Sequence, residues 1–310
     1  MARPKKTNTM SPYMDTLKTK LLEKYSEGTA NLYLTKLRLL NRDKPFTSLA
    51  FLKDHVKMNE AIDKIENVNT RKSYLTALVG VLEQLNNPTY NKVNSHYKTA
   101  LNNFKVDVVN KIDPNEKTQA QADNWMNWSE VMNMQEKLKK AADVVTAEEV
   151  ANNNSKAIDA IERNVLLSLY TSLPPRRNAD YFQMVIGTGD DKDKNYYDGE
   201  HFIFNVYKTV RSRGAEKLAV PNVLRDTLDD YIKLMALKNG DWLLFPETKD
   251  RNGSVKMTRS LNSIFGKNVS SSMLRHIWNT HLLGPILEKV KENAAALGHS
   301  IGTDLNYVKM

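Results

Sequence analysis

Arg176 and Arg177, Lys208, Arg275 with His276, His299 and Tyr307 follow one another through the second part of the sequence, cations first and then a single phenol. Making a pentacoordinate phosphate from a DNA phosphodiester takes such a set. Guanidiniums grip the non-bridging oxygens in bidentate fashion, and a hydroxyl attacks to form a covalent link. The departing 5′ oxygen needs a proton, which a lysine can supply, while a histidine assists the phenol or holds a phosphoryl oxygen. A tyrosine hydroxyl, with a pKa of about 10, needs such a cationic setting to attack near neutral pH. Each residue alone has an ordinary explanation. Paired arginines after a double proline are commonly surface charge, and a lysine in a hairpin is commonly solvated. Tyr307 alone reads as a terminal aromatic on a core, and His299 as a charge at a helix C-terminus. The ordered set carries the reading, not any member of it.

These residues need elements to hold them. "SKAIDAIERNVLLSLYTSLPP" puts Ile158, Ile161, Val165 and Leu169 on one helical face and stops at the double proline beside Arg176 and Arg177. "GEHFIFNVYKT" alternates Phe202, Phe204 and Val206, turns at the basic, Gly-containing "VRSRGAEK" and returns as "LAVP", a hairpin with Lys208 near its turn. "VLRDTLDDYIKLMALKNG" predicts a helix closing at Gly240. "SSSMLRHIWNTHLL" and "PILEKVKENAAALGH" predict two more, bearing Arg275 and leading to His299. The first third is helical throughout. Ala30, Tyr33, Leu34, Leu37 and Leu40 form one stripe, with Ser26 or Thr29 as cap; Leu75, Leu78, Val79 and Leu82 form another, with Asn69 or Thr70 as cap and Asn86, Asn87 and Pro88 as stop. Between them and the second part, the polar stretch around Pro114 reads as a linker. No internal repeat or low-complexity tract interrupts this plan.

Composition agrees with two domains in 310 residues. Lys+Arg 45 against Asp+Glu 36 gives a formal net charge of +9, which suits a polyanionic partner as well as a plain solvated surface. With no cysteine, disulfides, thiolate metal sites and cysteine nucleophiles are excluded. The start, "MARPKKTNTMSPYMDTL", has no apolar signal core, and no run approaches the roughly 20 apolar residues of a membrane span. The expectation is an intracellular protein with a short basic arm at 1–10.

The sequence resembles the tyrosine recombinases, or phage-type integrases. "LGHSIGTDLNYVK" is similar to that family's Leu-Gly-His-Ser followed by its nucleophilic tyrosine, "MLRHIWNTHLL" to the box around its second arginine, and "YTSLPPRRNADY" to the box around its first. "VYKTVRSRGAEKLAVP" is similar to the hairpin bearing its lysine, and "WLLFPE" with "TRSLNSIF" to the strand and helix that separate hairpin and second box. The resemblance covers the chain from about Trp125 onward. It implies a mostly α protein with a small β-sheet: a helical core-binding domain over 11–112, a linker over 113–124 and a mixed α/β catalytic domain over 125–310. It implies further that Tyr307 attacks to give a 3′-phosphotyrosyl link, that Arg275 and one arginine of the first box bind the scissile phosphate, that Lys208 is the general acid and that His299 supports tyrosine or phosphate. Arg177 is preferred over Arg176 because the family places an acid three positions after its first arginine, where Asp180 stands; Arg176 would then contact DNA backbone nearby. The choice stays open, since the double proline lengthens this box. Double-stranded DNA is the implied partner, with a homo-oligomer (tetramer) assembled on it, wherever in the cell the DNA lies. No cofactor and no metal are implied.

Two departures stand out. Ser272 occupies the place, three residues before Arg275, where the family has histidine; it can donate a hydrogen bond to phosphate but cannot titrate near neutrality. The spacing from His299 to Tyr307 is one residue short of the family's. Only Val308, Lys309 and Met310 follow the tyrosine, so assembly would use surfaces other than a C-terminal helix, unless the chain has lost its end. Besides site-specific recombination, type IB topoisomerase-like relaxation and a non-catalytic DNA-binding descendant of an integrase remain open.

Overall fold

Most of the longer helices in this chain start at a short polar side chain that caps them. A computed structural model describes residues 10–113, 115–189, 191–249 and 255–307, with the side chains of Asp304 and Leu305 left aside. The expected basic arm, apart from Met10, lies outside the described residues. The chain divides into two units, Met1–Glu116 and Lys117–Met310.

The first unit is helical. Ser11 accepts from the Met14 amide and Pro12 occupies the first position of α1 (Pro12–Leu22), which is where a missing N–H costs nothing. Ser26 caps α2 (Glu27–Leu40) and Asp54 caps α3 (His55–Asp63). The next helix, α4 (Val68–Leu85), begins earlier than expected: Asn67, not Asn69 or Thr70, accepts from the Thr70 amide. It ends where Asn86 turns left-handed, and α5 (Asn91–Asp107) follows. Both expected stripes are inside; Leu37, Leu78 and Ala30 are fully buried and share one core with α1, α3 and α5.

The second unit begins inside the expected linker. Thr118 and Gln121 form a reciprocal capping box that starts α6 (Gln119–Asn124), and the Asn124 side chain accepts from the Asn268 amide at 2.8 Å. Helices α7 (Trp128–Ala142), α8 (Ala147–Ala151) and α9 (Ser155–Thr171) come next. The expected face of α9 is the centre of the core, with Ile161, Val165 and Leu169 buried and Ile158 packed at the edge. After the prolines come α10 (Asn178–Phe182), β1 (Met184–Ile186), β2 (Asn195–Tyr197), β3 (His201–Phe204), the single turn α11 (Val210–Arg213) and β4 (Glu216–Ala219). The sheet runs β1-β2-β3-β4, its first pair parallel and the others antiparallel. Phe202 pairs with Leu218 and Phe204 with Glu216, which makes the expected hairpin. Phe202 and Phe204 point into the core, but the strand stops there and Val206 is 41% exposed.

Helix α12 (Asn222–Leu234) stops short of the expected end. Ala236 turns left-handed, so the amide of Leu237 reaches back to Ile232, and Gly240 instead bonds Ile186 of β1. "WLLFPE" makes an isolated bridge between Trp242 and Val185 rather than a strand, with Leu243, Leu244 and Phe245 buried. Helix α13 (Val255–Phe265) follows.

The two helices expected at the end of the chain are one: α14 runs from Ser271 to Ala296 with Pro285 inside it. The stretch after Pro285 is rich in Glu, Lys and Ala, strong helix formers, and the first stop signal is Gly298. Proline in a helix interior removes a bond and crowds the preceding turn at a cost of about 3 kcal/mol. The distal half is poorly covered, since Leu282, Leu283 and Ile286 are all more than half exposed. Pro285→Ala is therefore expected to raise the urea midpoint of unfolding, by up to about 3 kcal/mol of stability. An unchanged or lowered midpoint would contradict a continuous α14. Among the described residues no helix is long and apolar enough to cross a membrane.

Candidate functional site: an arginine-lined cleft and a histidine-tyrosine pair

The double proline ends α9 and leaves the chain extended, so that Arg177 becomes the residue flanking α10, with φ −76° and ψ 148°. Arg176 points across to the hairpin. Its Nε donates to Asp180 at 3.2 Å and its terminal nitrogen to Glu216 of β4 at 2.8 Å. Its guanidinium lies 3.7 Å from the ring centroid of Phe204 and 5.1 Å from that of Tyr207, a stacked arrangement that suits the flat cation. Asp180 is buried, and that burial pushes its carboxyl above the usual carboxylate range, against the pull of Arg176 and Arg177. Arg177 has no ion pair among the described residues and is half-buried.

Asn195 ties this corner to the hairpin. Its amide nitrogen donates to the carbonyls of Asp180 at 2.9 Å and Val206 at 2.8 Å, and its oxygen accepts from the Val206 amide at 2.7 Å. Asn195 is buried, and its bond to Asp180 is shielded from water. The first box gains a second anchor at Asn178, which accepts from the Tyr170 hydroxyl at 2.6 Å and donates to Thr258 of α13 at 2.9 Å.

The second box opens α14. Ser270 caps it, Met273, Leu274 and Ile277 are buried, and Arg275 is left half-buried on the other face. Ser272 and His276 are exposed. A cleft of about 420 Å³ results, walled by Pro174, Pro175, Arg176, Arg177 and Asp180 on one side, Tyr207, Thr209, Arg213 and Glu216 from the hairpin, and Arg275 from α14. Arginines from two sequence-distant boxes thus face one space. Lys208, His299, Tyr307 and Ser272 do not line it; Lys208 is exposed on the turn after β3.

The closing box is a helix stop followed by a helix start. Gly298, at φ +70°, donates its amide to Ala295, and the His299 amide donates to Ala294, the paired bonds of a Schellman motif. Ser300 then accepts from the Thr303 amide and starts α15 (Ile301–Leu305). Leu-Gly-His-Ser is thereby a piece of backbone chemistry: glycine for the left-handed turn, serine for the cap, and histidine held between them. The imidazole stacks on Tyr307 with centroids 5.2 Å apart and planes at 12°. Tyr307 is 67% exposed, and the buried Nδ1 of His299 has no hydrogen-bond partner.

The stretch "VYKTVRSRGAEK" contained more than the lysine taken from it. Tyr207, Arg213 and Glu216 line the cleft, and the alternation of β4, which sets Glu216 opposite Phe204, was the available signal for Glu216. No group of three or more His, Cys, Asp or Glu side chains is placed to hold a metal among the described residues. Compared with known proteins, the chain matches no family model and no curated protein.

The Arg176 cluster makes a testable statement about stability. Removing one partner of a buried ion pair costs about 3–5 kcal/mol because the other charge is stranded, so Arg176→Ala is expected to lose much of that range in urea unfolding at neutral pH. Without its guanidinium, Asp180 protonates at still higher pH in the folded state. A raised folded pKa adds stability at low pH that is lost as pH rises, so the deficit should shrink toward pH 4. A deficit that is absent, or that grows in acid, would contradict the pairing.

Proposed function

We propose that this chain is a tyrosine-type DNA strand transferase, a site-specific recombinase or integrase that cuts and rejoins double-stranded DNA through a 3′-phosphotyrosyl intermediate. In this reading the helical first unit is a core-binding domain and the second is the catalytic domain. The observation that carries it is the meeting of Arg177 and Arg275, from the two arginine boxes, in one open cleft beside the hairpin. Each guanidinium presents a planar fork of donors to a phosphate's non-bridging oxygens. The phenolic oxygen of Tyr307 attacks phosphorus as its proton leaves to solvent, the P–O bond to the 5′ oxygen breaks, and Lys208 gives that oxygen its proton. His299, stacked on the tyrosine, assists the phenol or the phosphate. Tyr307 and the arginines must meet at one phosphorus, so in this reading the segment that carries Tyr307, which does not line the cleft, has to approach it when DNA binds. Arg176, held by two carboxylates, keeps Asp180 and the hairpin in place. A homo-oligomer on DNA completes strand exchange.

A non-catalytic DNA-binding descendant is the second reading, favoured by the exposure of Tyr307 outside the cleft. Incubation with a nicked suicide duplex separates the two. Covalent protein–DNA adduct on a denaturing gel supports the transferase, while salt-sensitive binding without adduct supports the descendant.

A further inference from the structure

We infer that Arg213 is a third phosphate-gripping guanidinium of the cleft, acting where the family pattern's histidine is replaced by Ser272; this rests on the proposed strand-transfer reading. Arg213 lines the same cleft as Arg177 and Arg275. Arg176 also lines it, but its charge is met by Asp180 and Glu216. Arg177, Arg213 and Arg275 have no such partner among the described residues. The attacked phosphodiester goes from one negative charge toward two in the pentacoordinate state, and donors fixed where that charge develops stabilise it most. Ser272 contributes no charge and does not line the cleft.

The backbone that carries Arg213 is also held in position, although its side chain is exposed. The hydroxyl of Tyr207 donates to the carbonyl of Gly214 at 2.8 Å, closing the loop over the cleft. The Arg213 and Gly214 amides bond Thr209 and Val210, completing the turn of α11, and Gly214 at φ +76° lets the chain leave for β4. The Tyr207 ring that makes this closure lies under the Arg176 guanidinium, so the loop is clamped to the first arginine box. Arg211, on the same turn, does not line the cleft. In the reaction Arg213 donates hydrogen bonds to a non-bridging oxygen and transfers no proton; the bond made is P–O to Tyr307, the bond broken is P–O to the 5′ carbon's oxygen.

The test is single-turnover adduct formation on a suicide duplex at saturating protein, with DNA affinity measured separately. Arg213→Ala is expected to slow the step about 100-fold. Arg211→Ala, which removes the same charge nearby, is expected to change it no more than about threefold and to weaken binding only modestly. Arg213→Lys, keeping charge but losing the fork, should fall between wild type and Arg213→Ala, and Tyr207→Phe, which frees the loop, should also slow the step. Equal slowing by Arg211→Ala and Arg213→Ala, or an Arg213→Ala effect on affinity alone, would overturn the assignment while leaving the strand-transfer reading intact. Absence of adduct from the wild-type protein would overturn both.

Discussion

Tyr307→Phe is expected to form no covalent adduct with a suicide duplex, a fall of at least about 10⁴-fold, because the attacking oxygen itself is gone. The substitution is otherwise mild. The phenyl ring can keep its stack on His299, whose centroid lies 5.2 Å away, and the hydroxyl is on a residue 67% exposed, so no buried hydrogen bond is lost. Phosphate contacts, not this ring, supply the grip on DNA, and affinity should be nearly that of wild type. Adduct that persists in Tyr307→Phe would show that another hydroxyl attacks.

Arg275→Ala is expected to slow adduct formation by about 10²–10³-fold, the cost of removing one fixed donor from a transition state. Met273, Leu274 and Ile277 hold this turn of α14 in the core, so the half-buried Arg275 can be truncated without touching the packing. Arg275→Lys should recover little, since a point charge cannot reproduce the bidentate fork. Arg177→Ala should resemble Arg275→Ala in rate and cost far less stability than Arg176→Ala, which should lose activity in step with its folded fraction. If Arg176→Ala is dead while fully folded and Arg177→Ala is active, the two arginines have exchanged places. The measurement is single-turnover cleavage on protein checked by urea unfolding.

Where one physical rule governs an element, the sequence is readable. The stripes of α2, α4 and α9 depend on period alone, and they are buried as the period demands. The hairpin follows from alternation and a basic turn, and the mostly helical chain with its small mixed sheet follows from both. Other features depended on contacts that no window of sequence contains. Whether Asn67 or Thr70 caps α4, whether Gly240 ends a helix or pairs with β1, and whether Pro285 breaks α14 are each decided by what packs nearby. The cleft divides in the same way. Arg177, Asp180 and Arg275 could be picked out by motif, but the fate of Arg176 depends on Glu216, a residue forty positions away that β3–β4 pairing delivers. Arg213 was hidden in a run of cations, where type says little and only the loop closed by Tyr207 distinguishes it from Arg211.

The most direct measurement is to locate the DNA on the protein. Wild-type chain trapped on a suicide duplex would be digested with nuclease and trypsin, and the remaining nucleotide mapped by mass spectrometry. Tryptic cleavage after Lys291 and Lys309 yields one peptide, "ENAAALGHSIGTDLNYVK", that contains Tyr307 and no other tyrosine. The expected result is a nucleotide joined through its 3′ phosphate to Tyr307, with a free 5′ hydroxyl on the departing strand. A nucleotide on any other residue, a 5′-phosphate linkage, or an unmodified peptide from protein that binds the duplex would contradict it.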